Sequence, residues 1–209
     1  MKSVLMSVRP KWCELIASGR KTIEVRKTKP KLQVPFKVYV YCTKPSKAYQ
    51  TICGCICINT DELYRLPNNE IKYGSSVELM CCNNYDKDNF LNGKVIGEFV
   101  CDDIDTISVH NETLYCVNNS QANKLQQMCL SIEKIKKYLG QSNLGYNWHI
   151  SDLKIYDKPK ELKEFYVKCD WVCGDCNYFI NYECTSGFKG HKPLKRSPQS
   201  WCYCEEVSE

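Results

Sequence analysis

Lys21, Glu24 and Arg26 fall within a stretch of six residues, with Arg9 a short way upstream. Guanidinium and ammonium groups in such an arrangement can contact phosphate. A carboxylate between them can accept from a base amino group or hold an arginine in place. Lys21 and Glu24 are also the residue types that share acid–base work in catalysis. The competing reading is a solvated edge strand whose charges order one another and bind nothing.

The surrounding residues favour a built site. Ile23 and Val25 alternate with Thr22, Glu24 and Arg26. That period predicts a strand with one buried and one polar face, so Glu24 and Arg26 project together. Val4 to Val8 is a short apolar run expected to be buried on both faces. Pro10 suits a first helical position, Trp12, Leu15 and Ile16 recur at helical spacing, and Gly19 closes the helix. The expected unit is strand, helix, tight turn, strand. It gathers Arg9, Lys11, Lys21, Glu24 and Arg26 around the helix ends.

Ser7-Val8-Arg9-Pro10 leading into Gly19-x-Lys21-x-x-Glu24-x-Arg26 resembles the opening of an ASCH domain. Trp148-His149-Ile150-Ser151-Asp152-Leu153 and Pro198-Gln199-Ser200-Trp201-Cys202-Tyr203 look like later strands of bacterial and phage members. The resemblance implies an α+β, mainly β fold: a small mixed β-barrel of the PUA-like type with short peripheral helices. It also implies a polar cleft beside the motif strand that holds RNA or a nucleotide. Arg9, Lys21, Glu24 and Arg26 are the candidate binding residues there, joined by Trp148 and His149. Stacking of single-stranded bases calls for aromatic side chains; Trp12, Tyr39, Tyr41, Trp148 and Trp201 are available. Some small ASCH proteins resemble amidohydrolases that deacylate N4-acetylcytidine, and others resemble ribonucleases. The amidohydrolase branch uses the motif lysine, a threonine where Glu24 stands here, and a distant glutamate. Lys21 is retained and the threonine is absent. Lys21 and Glu24 are therefore the catalytic candidates only in the enzymatic alternative, with His149 as a further acid–base candidate or a structural histidine. Binding is the preferred reading.

The chain of 209 residues is 43% hydrophobic and 25% charged, which fits a globular domain with one well-buried core. No apolar run approaches the roughly 20 residues of a membrane helix. Arg9, Pro10 and Lys11 cut short any signal-peptide segment. The expected location is cytoplasmic, with no membrane partner. Net charge is +5, unevenly spread: residues 1–47 hold twelve Lys or Arg against two acids, the remainder 17 against 22. One concentrated basic region suggests a polyanion partner; a solvated Lys-rich surface is the plainer alternative.

Sixteen cysteines without an export signal predict reduced thiols and some metal binding. Cys169-x3-Cys173-x2-Cys176-x7-Cys184 could form a tetrahedral structural zinc site, with His191, Cys202 and Cys204 as substitute ligands. Chance clustering among so many cysteines is the alternative. Lys189, Lys192, Lys195 and Arg196 form either a phosphate clamp or a solvated loop.

Along the rest of the chain, Phe36–Cys42, residues 52–58, Lys94–Cys101 and Trp148–Tyr156 read as strands. Asp61–Leu66 reads as a helical turn, and Ser131–Leu139 as a helix capped by Ser131 and ended by Gly140. Residues 102–128 are polar and weakly patterned, and are expected to run over the surface. The predicted organisation is a barrel from 1–158 and 198–209, with a Cys-rich insertion at 159–197 inside the same domain.

Overall fold

Ser3–Val8 forms the first strand, and all six residues are buried. The computed structural model describes residues 3–44, 48–50, 56–58, 63–65, 71–73, 91–116, 121–169, 179–180, 183–184 and 190–206. In chain order the main elements are β1 (Ser3–Val8), α1 (Pro10–Ala17), β2 (Ile23–Arg26), β3 (Phe36–Cys42), β4 (Lys94–Cys101), β5 (Ile104–His110) and β6 (Thr113–Cys116). They continue with α2 (Gln121–Met128), α3 (Ile132–Leu139), β7 (Leu144–His149), β8 (Ser151–Glu161), β9 (Phe165–Lys168), β10 (His191–Pro193) and β11 (Trp201–Glu206). Three short ribbons add Ala48–Gln50 with Ile56–Ile58, Leu63–Arg65 with Ile71–Tyr73, and Phe179–Ile180 with Glu183–Cys184. Leu63–Arg65 is thus a strand where a helical turn was expected.

Two larger sheets organise the molecule. The seven-stranded sheet has the order β8-β4-β3-β1-β11-β9-β10, and the four-stranded sheet β6-β5-β7-β2. β1 lies inside the larger sheet, parallel to β3 through Val4↔Val38 and antiparallel to β11 through Leu5↔Cys202. Val4, Met6 and Val8 face a core with Val38, Val40, Ile96, Phe99 and Trp148. Leu5 faces the opposite core with Tyr39, Val95, Phe165 and Cys204. Occupied edges and covered faces explain the uninterrupted apolar run.

The α+β, mainly β fold is as expected, but the described strands do not close into one barrel. Two of the passages from sheet to sheet are short corners. β4 leads into β5 through Asp102 and Asp103, and β7 leads into β8 through Ile150. Trp148–Tyr156 is therefore two strands in different sheets rather than one. β2 ends the smaller sheet as an edge strand, and no backbone ladder joins it to the larger one. At Gly97, a Cβ would meet the Lys154 carbonyl at 2.4 Å, so glycine permits the close approach of β8 to β4.

The described residues of 102–128 are not a surface excursion. They supply β5, β6 and α2, and with α3 they enclose a core of Ile23, Val25, Ile107, Val109, Leu114, Met128, Ile135 and Leu139. Burying side chains of this size contributes about 1.5–3 kcal/mol each. Asn111 and Glu112 both take positive φ, 45° and 62°, giving the mirror-image turn that a two-residue hairpin requires. α3 begins where the Lys134 amide donates to Ser131 Oγ at 3.4 Å, and it ends at Gly140 with φ 68°. Among the described residues, no helix is long and apolar enough to cross a membrane.

Candidate functional site

β2 is buried along its whole length, although two of its four residues are charged. Its polar face points inward, not to solvent. Glu24 spans the gap between two cations: Oε1 lies 3.1 Å from Arg26 Nη2 and Oε2 lies 3.3 Å from Lys21 Nζ. The exposures are only 2% for Lys21 and 7% for both Glu24 and Arg26. Charges this deep survive only when paired and hydrogen-bonded, and the remaining donors find main-chain acceptors. Lys21 Nζ donates to the Met128 carbonyl at 2.6 Å and stands 5.3 Å from the centre of the Trp12 ring. Arg26 Nη2 donates to the Ser7 carbonyl at 2.8 Å, and Nη1 to Ser200 Oγ at 3.4 Å. Side chains, not a strand ladder, thus bridge β2 to β1 and to the segment before β11.

A cavity of about 560 Å³ opens against this trio. Ser7, Arg9 and Trp12, Lys134, Lys137 and Tyr138 of α3, and Pro198–Ser200 line it as well. Two cations against one carboxylate leave the buried wall net positive, and the lysines and Arg9 add to it. Arg26 Nε is buried and has no hydrogen-bond partner among the described residues. Burial pushes the Tyr138 hydroxyl up from its usual value and nearby Arg26 pulls it part of the way back, so the phenol remains a donor near neutral pH. The cavity therefore presents donors and positive charge, the chemistry of an anion receptor.

The family model of the ASCH domain matches residues 6–168. The chain belongs to the ASCH domain family. Among solved structures it is similar to the ASCH protein from Zymomonas mobilis, at 16% identity, covering 77% of this chain and 73% of that one, with a TM-score of 0.44. A single-site Tyr-to-Phe mutant of the Zymomonas mobilis protein is similar at 15% identity, covering 78% and 77%, with a TM-score of 0.46. No curated protein matches.

Within this ASCH domain the structure brings four of the expected residues to one place: Arg9, Lys21, Glu24 and Arg26 all line the cavity. Two others lie elsewhere. Trp148 is fully buried between the sheets, 5.7 Å from the Phe36 ring and 5.8 Å from Trp201, so it offers no face to a base. His149, the next residue along the strand, points to the opposite face. There its Nε2 lies 3.0 Å from Lys124 Nζ and 3.2 Å from Asp105 Oδ2. Lys124 Nζ also bonds directly to Asp105 Oδ2. His149 Nε2 thus faces both the ammonium and the carboxylate, and the ring tautomer decides which of the two it bonds. Asp103, Asp105 and His149 bring their ligand atoms within 4.8 Å of one another. The Lys124 ammonium already supplies the cation that Asp105 and His149 share.

Sequence reasoning missed Lys134, Lys137 and Tyr138. Their spacing of three and four on α3 puts them on one helix face, which was the available signal. It also missed Lys124, which no local pattern announces.

The Cys-rich segment lies just beyond the family match. Cys169 follows β9, and its amide donates to the Gly190 carbonyl at 2.8 Å, closing the base of the loop. β9 and β10 on either side are strands of the large sheet. Cys184 sits in a short strand, while Cys173 and Cys176 fall outside the described residues. Cys202 and Cys204 are free thiols. Burial pushes the Cys202 thiol up to about 11 and that of Cys204 higher still.

Proposed function

We propose that this protein binds RNA or a nucleotide in the cleft beside β2. One observation carries the reading: a net-positive, buried Lys21–Glu24–Arg26 trio walls a cavity of about 560 Å³. Arg9, Lys134 and Lys137 would meet phosphate at the rim, and Trp12 would flank the base. Membership of a family usually linked to RNA binding supports this choice of anion.

Catalysis is the second reading, favoured by the 3.3 Å contact of Lys21 with Glu24 inside the cavity. A hydrolase acting on a modified nucleoside such as N4-acetylcytidine, or on RNA, would use the two in acid–base roles. Binding is preferred because Lys21 already donates to Glu24 and to the Met128 carbonyl, and Glu24 already accepts from two cations. A proton transfer would first have to break these bonds. Among the described residues the site offers no complete nucleophile–base set.

The test is equilibrium binding of a nucleoside 5′-monophosphate to the wild type, Arg9→Ala and Lys137→Ala, beside chromatography for turnover of N4-acetylcytidine. The rim variants keep the buried trio intact, so they separate binding from folding. Saturable binding that each variant weakens about tenfold, without turnover, supports the cleft as a receptor; a loss of that size is about 1.4 kcal/mol. Equal affinity in all three proteins removes the cleft from the proposal. Turnover abolished by Lys21→Ala reverses the order of the two readings.

A further inference from the structure

Immediately after Arg26 the chain leaves the cleft as a loop that carries Lys27, Lys29 and Lys31 at alternate positions, all three exposed. No acidic residue occurs between Glu24 and Asp61. The loop is pinned to the body. Trp201 Nε1 donates to Thr28 Oγ1 at 3.0 Å, the Lys31 amide donates to the Tyr203 hydroxyl at 2.7 Å, and Pro30 between them is buried. Lys27 Nζ lies 5.5 Å from the centre of the Tyr138 ring, and Lys29 Nζ lies 5.3 Å from that of Tyr146. Trp201 and Tyr203 stack edge to face at 5.5 Å, and Tyr203 keeps 40% of its surface exposed.

We infer that this loop and the Trp201–Tyr203 pair form a track for single-stranded RNA leading out of the cleft. The inference rests on the cleft reading for its polarity: Arg26 and Ser200 line the cleft and are followed directly by Lys27 and Trp201, so loop and platform both start from it. Lys27 lies over Tyr138, Lys29 over Tyr146, and Lys31 is tied by its amide to Tyr203, so the three lysines present a row of charge and not a single point. Aromatic faces next to that row stack bases without regard to sequence, while the ammonium groups follow the phosphates. Paired bases in a duplex have no free faces for Tyr203, so the arrangement selects single strands. Because hydrogen bonds already hold the loop and Tyr203, little ordering is left to oppose binding.

The experiment is fluorescence anisotropy with an unstructured oligoribonucleotide of about ten nucleotides, a hairpin duplex of similar length, and a nucleoside 5′-monophosphate. The proteins are the wild type, the double variant Lys29→Gln/Lys31→Gln, Tyr203→Ala and Tyr203→Phe. The double variant should bind the single strand about tenfold more weakly, and its log–log salt slope should fall by roughly 1.4, the share of two phosphate contacts. Tyr203→Ala should lose about tenfold, and Tyr203→Phe should lose less, because it keeps the ring and forgoes only the bond to the Lys31 amide. If the monophosphate fails to bind the wild type while the oligomer still depends on Lys29, Lys31 and Tyr203, the cleft reading falls and the track stands. Unchanged oligomer affinity in the double variant and Tyr203→Ala overturns the track. So does a duplex bound as tightly as the single strand.

Discussion

The Lys21 ammonium donates to the main-chain carbonyl of Met128 at 2.6 Å across 107 residues of sequence. The family motif is thereby fastened to the last residue of α2, where helix carbonyls lack partners and the dipole favours a cation. The next bond repeats the junction, as the Thr22 amide donates to the Gln127 carbonyl at 3.0 Å. One wall of the cleft therefore depends on a helix that never touches the proposed ligand.

Glu24 holds both cations of the trio, so its loss strands two buried positive charges. Removing one partner of a buried ion pair costs on the order of 3–5 kcal/mol. Glu24→Gln should lower unfolding free energy in urea by about 3 kcal/mol, more than Arg9→Ala, whose side chain is exposed. A loss for Glu24→Gln within about 1 kcal/mol of zero, the range of exposed pairs, would mean that the trio is solvated and the wall is not built as described.

Lys124 poses the same problem on the other face of β7. It is 1% exposed and its ammonium serves Asp105 and His149 together. Lys124→Met leaves Asp105 buried without a cation and should cost about 3 kcal/mol. Lys124→Met/Asp105→Leu removes both charges and should recover most of that loss, whereas His149→Ala should cost less than Lys124→Met. A double variant no more stable than Lys124→Met would refute the pairing. Because Lys124 lies on α2, single-stranded RNA affinity measured on Lys124→Met would also report how firmly Met128 holds Lys21.

The opening unit could be read from residue types because its signals are local. Pro10 starts a helix, Gly19 takes φ 72° to end it, and alternation marks β2. What lay beyond reach was tertiary. Alternation alone makes Glu24 and Arg26 a solvent face, and only the sheet arrangement turns that face inward. Trp148 to Tyr156 keeps its pattern through Ile150, so nothing local reveals that the chain changes sheets there. Ile107, Val109 and Leu114 are separated by polar neighbours that hid a core cluster. Lys124 was illegible for a further reason: a buried lysine looks like any surface lysine until its partners, Asp105 and His149, are known.

We propose one structural zinc held by Cys169, Cys173, Cys176 and Cys184. The Cys169–Gly190 bond brings the ends of that segment together, the closure a metal loop needs. Elemental analysis of protein purified without chelator should find about one zinc per chain. Cys173→Ser/Cys176→Ser should remove it. Zinc at trace level in the wild type, or an undiminished content in the variant, rejects the site.

Buried thiols give the stability a definite pH dependence. Burial pushes Cys101 from 9.0 up to about 12, with Asp102 adding to the effect, and Cys13 is also raised, chiefly by burial. Above about pH 9 the unfolded chain releases these protons while the native state retains them. The unfolded state then binds fewer protons than the native one, so stability falls as pH rises. The contribution of Cys101 is fully present below about pH 9 and is lost progressively between about 9 and about 12. Cys101→Val has no thiol to titrate and forgoes the weak Sγ bond to the Asp103 carbonyl at 3.4 Å, a small cost independent of pH. Thermal unfolding from pH 7 to 11 should therefore show the wild-type Tm dropping more steeply above pH 9 than that of Cys101→Val, with lysine titration common to both curves. Parallel curves would show that the Cys101 thiol ionises in the folded protein as easily as in the unfolded chain, and that it is not sealed between the sheets.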